Sequence, residues 1–264
     1  MFRDGALPRI SRPALRRSVL MAKAQIVLLR GMFGFSKVLW WEYFHGAPRM
    51  LEGMGFTVIV PRTPWGKSIA DRSAFLAEVL RDRPGRLHLI AHSMGGLDAR
   101  RYITHLGGHA KIASLTTIST PHRGSPLADQ TIASPFSPQR YIPAIADLSL
   151  AAMAHFNDST PDMPGVIYRS YSAARPLHEQ PWLVRPFGRR IAANEGANDT
   201  LVSVASARWG EHISTLAADH FELIGSQIWL NPFRRRASFD HLGLYRDIAE
   251  WILGFEHPTL RKGV

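Results

Sequence analysis

The sequence predicts an α/β protein built on a doubly wound, mostly parallel sheet, and three observations carry that expectation. Short runs of wholly apolar or β-branched residues alternate with longer stretches whose apolar residues recur at helical spacing. The runs lack the in-out alternation of a half-exposed strand, as expected of strands covered on both faces. One of them, Leu87-His88-Leu89-Ile90-Ala91-His92, stops at Ser93 and passes through Met94-Gly95-Gly96 into a helical stretch ending near Leu106. Strand, tight turn with a serine at its tip, then helix is the geometry that presents a nucleophile above the carboxyl end of a sheet.

In chain order, Gln25–Arg30 reads as a buried strand, followed by the glycine-punctuated loop Gly31-Met32-Phe33-Gly34-Phe35. A helical stretch from Trp40 to Met54 precedes a second strand, Gly55–Pro61. Ser68 to Arg83 reads as a helix with Ser68 as N-cap and Ile69, Ser73, Leu76, Ala77 and Leu80 along one face. Pro84-Gly85 ends it and feeds the Ser93 strand. Ile112–Ile118 is the next strand, leading into Ser119-Thr120-Pro121-His122-Arg123-Gly124-Ser125. From about 126 to 164 periodicity fades, apart from one helix expected within Ile145–Phe156; an insertion here lies over the strand ends as a lid or cap would. Gly165–Tyr171 resumes the sheet. Pro176–Arg190 reads as irregular and carries Trp182, Phe187 and three arginines. A short helix near Ala205, a last strand at Ile213–Leu216 and a helix from Leu242 to Phe255 complete the chain.

The chain has 264 residues and 45% hydrophobic content, enough for one large α/β domain over residues 25–264. It contains no cysteine, which excludes disulfides, thiolate metal sites and cysteine nucleophiles. Residues 1–24 hold six cations against one acid and read as a basic, disordered tail. Arg16-Arg17 is a weak match to a twin-arginine signal, and Met21 is an alternative start. With no credible signal peptide and no apolar run of membrane-spanning length, the sequence points to a cytoplasmic location. The net charge of +11 is scattered without aromatic interleaving, so no nucleic-acid partner is expected.

A serine nucleophile needs a base, a carboxylate to orient that base, and donors for the oxyanion. On this kind of sheet they follow the serine in the order acid, then base. Asp199 lies in a post-strand loop whose Asn198-Asp199-Thr200 context also suits an ordinary Asx-turn. His220 follows 21 residues later, in Ala218-Asp219-His220-Phe221-Glu222. His241 is its competitor, although Asp240-His241 also reads as the capped start of the last helix. His92 points away on strand alternation, and His122 is a candidate to line the site. The amide of Met94, directly after the serine, is one expected oxyanion donor and that of Met32 the other.

These motifs together resemble the bacterial triacylglycerol lipases of the α/β-hydrolase fold. Leu29–Phe35 is similar to their His-Gly-Met/Leu-x-Gly-Phe oxyanion loop, and Tyr43-Phe44-His45-Gly46 to the Tyr-Trp/Phe-x-Gly that follows. Ala91–Gly96 resembles Gly-His-Ser-x-Gly-Gly, and Ser119–Ser125 their Ala-Pro-His-Lys/Arg-Gly-Ser. Ala154–Asn157 with Gly165–Tyr171 is similar to Phe-Asn followed by Gly-Val-x-Tyr-x-Ser-Tyr/Trp. Asn198–Val202 resembles Asn-Asp-Gly-Leu-Val, and Asp219-His220-Phe221 the base motif. The resemblance implies Ser93, Asp199 and His220 as catalytic residues, oxyanion amides at Met32 and Met94, and a lid within 126–164. It implies an acyl ester or lipid substrate and contact with a lipid surface. Arg30 departs from the usual His of the oxyanion loop, and Ala91 from the usual Gly. The relatives bind a structural calcium beside the base, where Glu222 stands for an Asp ligand; a second carboxylate is not identifiable, so no cofactor is assigned. Alternative readings are an acyltransferase or thioesterase on the same triad, and a non-catalytic relative that binds lipid or a partner.

Overall fold

The computed structural model describes residues 24–32, 42–226 and 239–256. The basic tail, the loop beyond Met32 and the beginning of the helical stretch expected from Trp40 lie outside these residues. Among the described residues, six parallel strands form one sheet: β1 (Gln25–Leu29), β2 (Thr57–Ile59), β3 (Leu87–His92), β4 (Ile112–Ile118), β5 (Ile167–Ala173) and β6 (Glu211–Leu216). Their order is β2-β1-β3-β4-β5-β6. The helices are α1 (Ala47–Gly53), α2 (Ile69–Leu80), α3 (Gly95–His105), α4 (Pro126–Ala133), α5 (Pro143–Asp147), α6 (Leu150–Ser159), α7 (Arg185–Glu195), α8 (Val204–Ala207) and α9 (His241–Glu256). None of the described helices is long and apolar enough to cross a membrane.

Strand alternation sends successive side chains to opposite faces, and each face has its own core. Ile26, Leu28, Ile90 and Ile118 pack on one side with Leu51 of α1 and Leu244, Ile248 and Ile252 of α9. Val27, Leu29, Leu87, Leu89 and Ala91 pack on the other with Leu76 and Leu80 of α2 and Ala99 and Ile103 of α3. Ala91, the departure from the family's Gly, therefore places its methyl in packed core. Chain order reverses between β1 and β3, and the crevice at their carboxyl ends is where ligands bind in such sheets.

The helix expected from Ser68 forms as α2, with the Ser68 side chain accepting from the Asp71 amide at 3.1 Å. Five expectations change. The helical stretch expected from Trp40 is not helical over 42–46 and becomes helix only at α1, and α4 forms in the 126–164 segment where no helix was expected before Ile145. The second strand is only three residues long, because Pro61 closes it. The single helix expected within Ile145–Phe156 is two, α5 and α6, since Ser149 caps a new helix by accepting from the Ala152 amide. Pro176–Arg190 is not irregular throughout: α7 begins at Arg185, with Pro186 in its first turn where no intrahelical N–H is needed.

A buried ion pair fixes the end of β1. Arg72 of α2 and Asp98 of α3 are both inaccessible and meet at 2.7 Å. Arg72 also donates to the carbonyls of Arg30 at 2.8 Å and Pro64 at 2.9 Å. Burial pushes the Asp98 carboxyl up to about 6, against the opposing pull of Arg72. Asp98→Ala would strand a buried guanidinium and is expected to cost about 3–5 kcal/mol, read from urea unfolding midpoints. The double variant Arg72→Leu/Asp98→Leu should recover most of that loss, since it leaves no unpaired charge.

Candidate active site

Ser93 sits at the tip of the turn between β3 and α3 with φ 56°, a left-handed conformation that a non-glycine residue holds only where its surroundings impose it. They do so on every side. The Ser93 amide donates to the Ile118 carbonyl at 3.0 Å, and its carbonyl accepts from Thr120 Oγ1 at 2.7 Å and the Gly96 amide at 3.1 Å. Ser93 is partly exposed while its neighbours on both sides are buried.

The segment after β1 passes directly over this serine. A Cβ on Gly31 would lie 2.8 Å from Ser93 Cβ and 3.0 Å from its Oγ, so only glycine allows the approach. A Cβ on Gly95 would meet the Leu29 carbonyl oxygen at 2.7 Å. Met32 and Met94 share one apolar cluster with Leu97, Met153 and the partly buried Leu148 and Phe156. Arg30 is itself buried. Its guanidinium donates to the Pro61 carbonyl through Nε at 3.2 Å and Nη2 at 3.0 Å, joining the ends of β1 and β2.

Asp199 is fully buried and its carboxylate accepts four hydrogen bonds. Oδ1 takes the amides of Leu201 at 3.0 Å and Val202 at 2.7 Å; Oδ2 takes Ser119 Oγ at 2.6 Å and His220 Nδ1 at 2.7 Å. The His220 amide also donates to the Asp199 carbonyl at 2.9 Å. Asn198 holds the Asp199 loop, donating to the Gly188 carbonyl at 3.0 Å and accepting the Thr200 amide at 3.0 Å. Thr200 stands where the resembled motif has glycine, and it adopts φ 94°.

The His92 ring joins two loops. Its Nε2 pairs with the His220 carbonyl at 3.1 Å, and because a carbonyl only accepts, Nε2 carries the proton. Nδ1 therefore accepts from the Tyr43 hydroxyl at 2.8 Å, which in turn accepts the Gly31 amide at 2.9 Å. The chain Gly31–Tyr43–His92–His220 thus ties the segment over Ser93 to the His220 loop, and the two histidine rings lie 4.5 Å apart. His122 is not drawn to His220: it pairs with Thr117 Oγ1 at 3.1 Å and stacks on Trp209. His241 starts α9 and bonds the His45 carbonyl at 2.8 Å. Sequence reasoning missed Ser119, Tyr43 and the role of His92; Ser119 and His92 stand at strand ends, a signal that becomes specific only when the sheet order is known, and Tyr43 lies in the bend before α1.

Comparison with known proteins follows the same lines. A family described as PGAP1-like alpha/beta domain matches residues 68–139. Triacylglycerol lipase 2 of Saccharomyces cerevisiae is 35% identical over 253 residues, covering 87% of this chain and 76% of that protein. The triacylglycerol lipase of Pseudomonas fragi is 37% identical over 110 residues, covering 40% of this chain and 37% of the relative. The chain belongs to the triacylglycerol lipase family of the α/β-hydrolase fold. Among solved structures, a metagenomic carboxyl esterase superposes with a TM-score of 0.76 at 23% identity, covering 89% of this chain and 76% of its own. A Bacillus licheniformis lipase does so with 0.67 at 23% identity, covering 77% and 87%. Membership of this lipase family makes the chain a carboxylic-ester hydrolase that uses a serine.

In this lipase the buried histidines set a pH limit. Desolvation holds His92 and His122 well below 6.5, so both stay neutral in the fold while the unfolded chain takes up their protons. The folded-state pKa values lie below the unfolded ones, so this stability is present above pH 6.5 and lost as pH falls. Asp98, raised to about 6, binds its proton first in the folded state and offsets part of the loss. Stability is therefore expected to fall between about pH 7.5 and 5.0, checked by urea midpoints at the two pH values.

Proposed function

We propose that Ser93 is the nucleophile, His220 the base, Asp199 the orienting acid, and the amides of Met32 and Met94 the oxyanion donors. The observation that carries this reading is the Asp199–His220 hydrogen bond at 2.7 Å. It commits Nδ1 and leaves Nε2 as the basic nitrogen. Nε2 takes the Ser93 proton as Oγ attacks the ester carbonyl carbon, and the carbonyl oxygen becomes the oxyanion between the two amides. Each amide is worth roughly 3–4 kcal/mol of transition-state stabilisation. The alcohol leaves with the proton from His220, and water then hydrolyses the acyl-enzyme by the same base.

The substrate in this reading is a lipid ester with an apolar acyl chain, in keeping with relatives named triacylglycerol lipases. The Met32, Met94, Met153 and Phe156 cluster offers the chain an apolar wall. Helices α4 to α6 serve as the lid, and the enzyme works in contact with a lipid surface.

The region beside the base does not suit the calcium that the family resemblance implies. Glu222 accepts from Arg175 Nε at 3.1 Å and Nη2 at 3.2 Å, and from the Asp219 amide at 2.8 Å. A guanidinium on the expected ligand repels a second cation. Among the described residues no group of three His, Asp or Glu side chains has metal-holding geometry. The Arg175 amide also donates to the Asn198 carbonyl at 3.0 Å, so Arg175 braces the acid loop and the base loop together.

A fluorophosphonate probe should label the wild type and not Ser93→Ala, whose turnover should fall by about a millionfold. His220→Ala should abolish turnover; loss in His241→Ala instead, with the fold retained, would reassign the base. Chelation with EDTA should leave the rate unchanged, whereas Arg175→Ala should lower stability by roughly 3 kcal/mol. An EDTA-sensitive rate restored by added calcium would overturn the calcium-free reading.

A further inference from the structure

The stretch 176–190 was singled out in the sequence by its aromatics and arginines, and the catalytic chemistry uses none of them. In the fold, the inner side of α7 is fixed: Gly188 and Ile191 are buried, and the Gly188 carbonyl accepts from Asn198, one residue before Asp199. The outer side carries side chains that a globular surface ordinarily hides. Trp182 is 59% exposed, Leu183 55% and Phe187 40%. Arg189 and Arg190 are exposed among them. Helix α4 packs against α7, and the connection that follows it presents Phe136, 93% exposed, and Tyr141, 81% exposed.

We propose that α7 and its leading turn, with Phe136 and Tyr141, form the docking face for an anionic lipid surface. This rests on the lipid-ester reading above and names which part of the molecule meets the lipid and which headgroup charge it prefers. The residues have interfacial chemistry: aromatics with an apolar body, and arginines whose charge stays at headgroup level. They are exposed on two chain segments, 136–141 and 182–190, a spread of aromatics and cations that suits a soft acyl layer with charged headgroups. Charge selects the lipid. On α7 the cations are Arg185, Arg189 and Arg190; of the nearby acids, Glu179 pairs with Arg175, and Glu195 lies at the far end of the helix. The chain as a whole carries a net charge of +11. The inner side of α7 rests on the loop of Asn198 and Asp199, so one helix separates the docking face from that loop.

The test is sedimentation of the full chain carrying Ser93→Ala, which spares the lipid, with vesicles of phosphatidylcholine alone or mixed with phosphatidylglycerol. Binding should be at least tenfold stronger on the anionic vesicles and should weaken with salt. Adding Arg189→Gln/Arg190→Gln should lower affinity for anionic vesicles by roughly thirtyfold and leave the weak binding to neutral ones unchanged. Adding Trp182→Ala/Leu183→Ala/Phe187→Ala should weaken binding to both, with thermal melting of each variant confirming the fold. Equal binding by all variants, or none by the parent, overturns the proposal. So does a dimer on size-exclusion chromatography that the triple substitution dissolves, which would give the face to a second copy of the chain. Wild-type turnover of a short, soluble ester checks the hydrolase reading separately. Turnover without vesicle binding removes the docking face alone, and vesicle binding without turnover removes the mechanism alone.

Discussion

A carboxylate with no contact with water must have its charge answered inside the protein, and the active centre is arranged around that requirement at Asp199. Two amides of its own loop, one hydroxyl from the end of β4 and one imidazole N–H supply the four donors. They come from three places in the chain, so satisfying the charge draws the Asp199 loop, the β4 end and the His220 loop together. The desolvation of an unpaired carboxylate is costly enough to make this arrangement strongly preferred over partial ones. Orientation of His220 is thus a by-product of solving a burial problem.

The other half of the centre is set by close approach. Gly31 crosses Ser93 at a distance no side chain permits, and Tyr43 and His92 convert that crossing into a hydrogen-bonded tie reaching the His220 carbonyl. Every donor in this tie has one acceptor in a consistent direction, which a neutral His92 makes possible. Protonating His92 would add a donor at Nδ1 facing the Tyr43 oxygen, so burial of the ring and integrity of the tie are the same condition.

Three arginines take up structural work around this frame. Arg30 bonds the chain just past β2. Arg72 draws the backbone at Arg30 and Gly31 toward the Asp98 pair. Arg175 links the loops of Asp199 and His220. A guanidinium suits all three tasks because its planar fork can satisfy several carbonyl or carboxylate oxygens at once. The departures from the family pattern at Arg30 and beside Glu222 are therefore met by donors that hold backbone in place.

The sequence by itself determined what depends on local chemistry. Apolar runs marked five strands at close to their observed positions, Ser68 announced α2, and the Ser93 turn, Asp199 and His220 were legible because short motifs constrain their own backbone. Failures fell where local signals conflict. Residues 176–190 read as irregular, yet Pro186 occupies the one helical turn that tolerates it, and Ser149 split a helix that periodicity alone ran through. Tertiary structure decided what depends on strand order. Only the adjacency of β1 and β3 puts Gly31 over Ser93, only the β4 end brings Ser119 to Asp199, and only packed helices leave Arg72 beside Asp98. Such contacts join residues tens of positions apart through space, and no local propensity encodes which pair will meet.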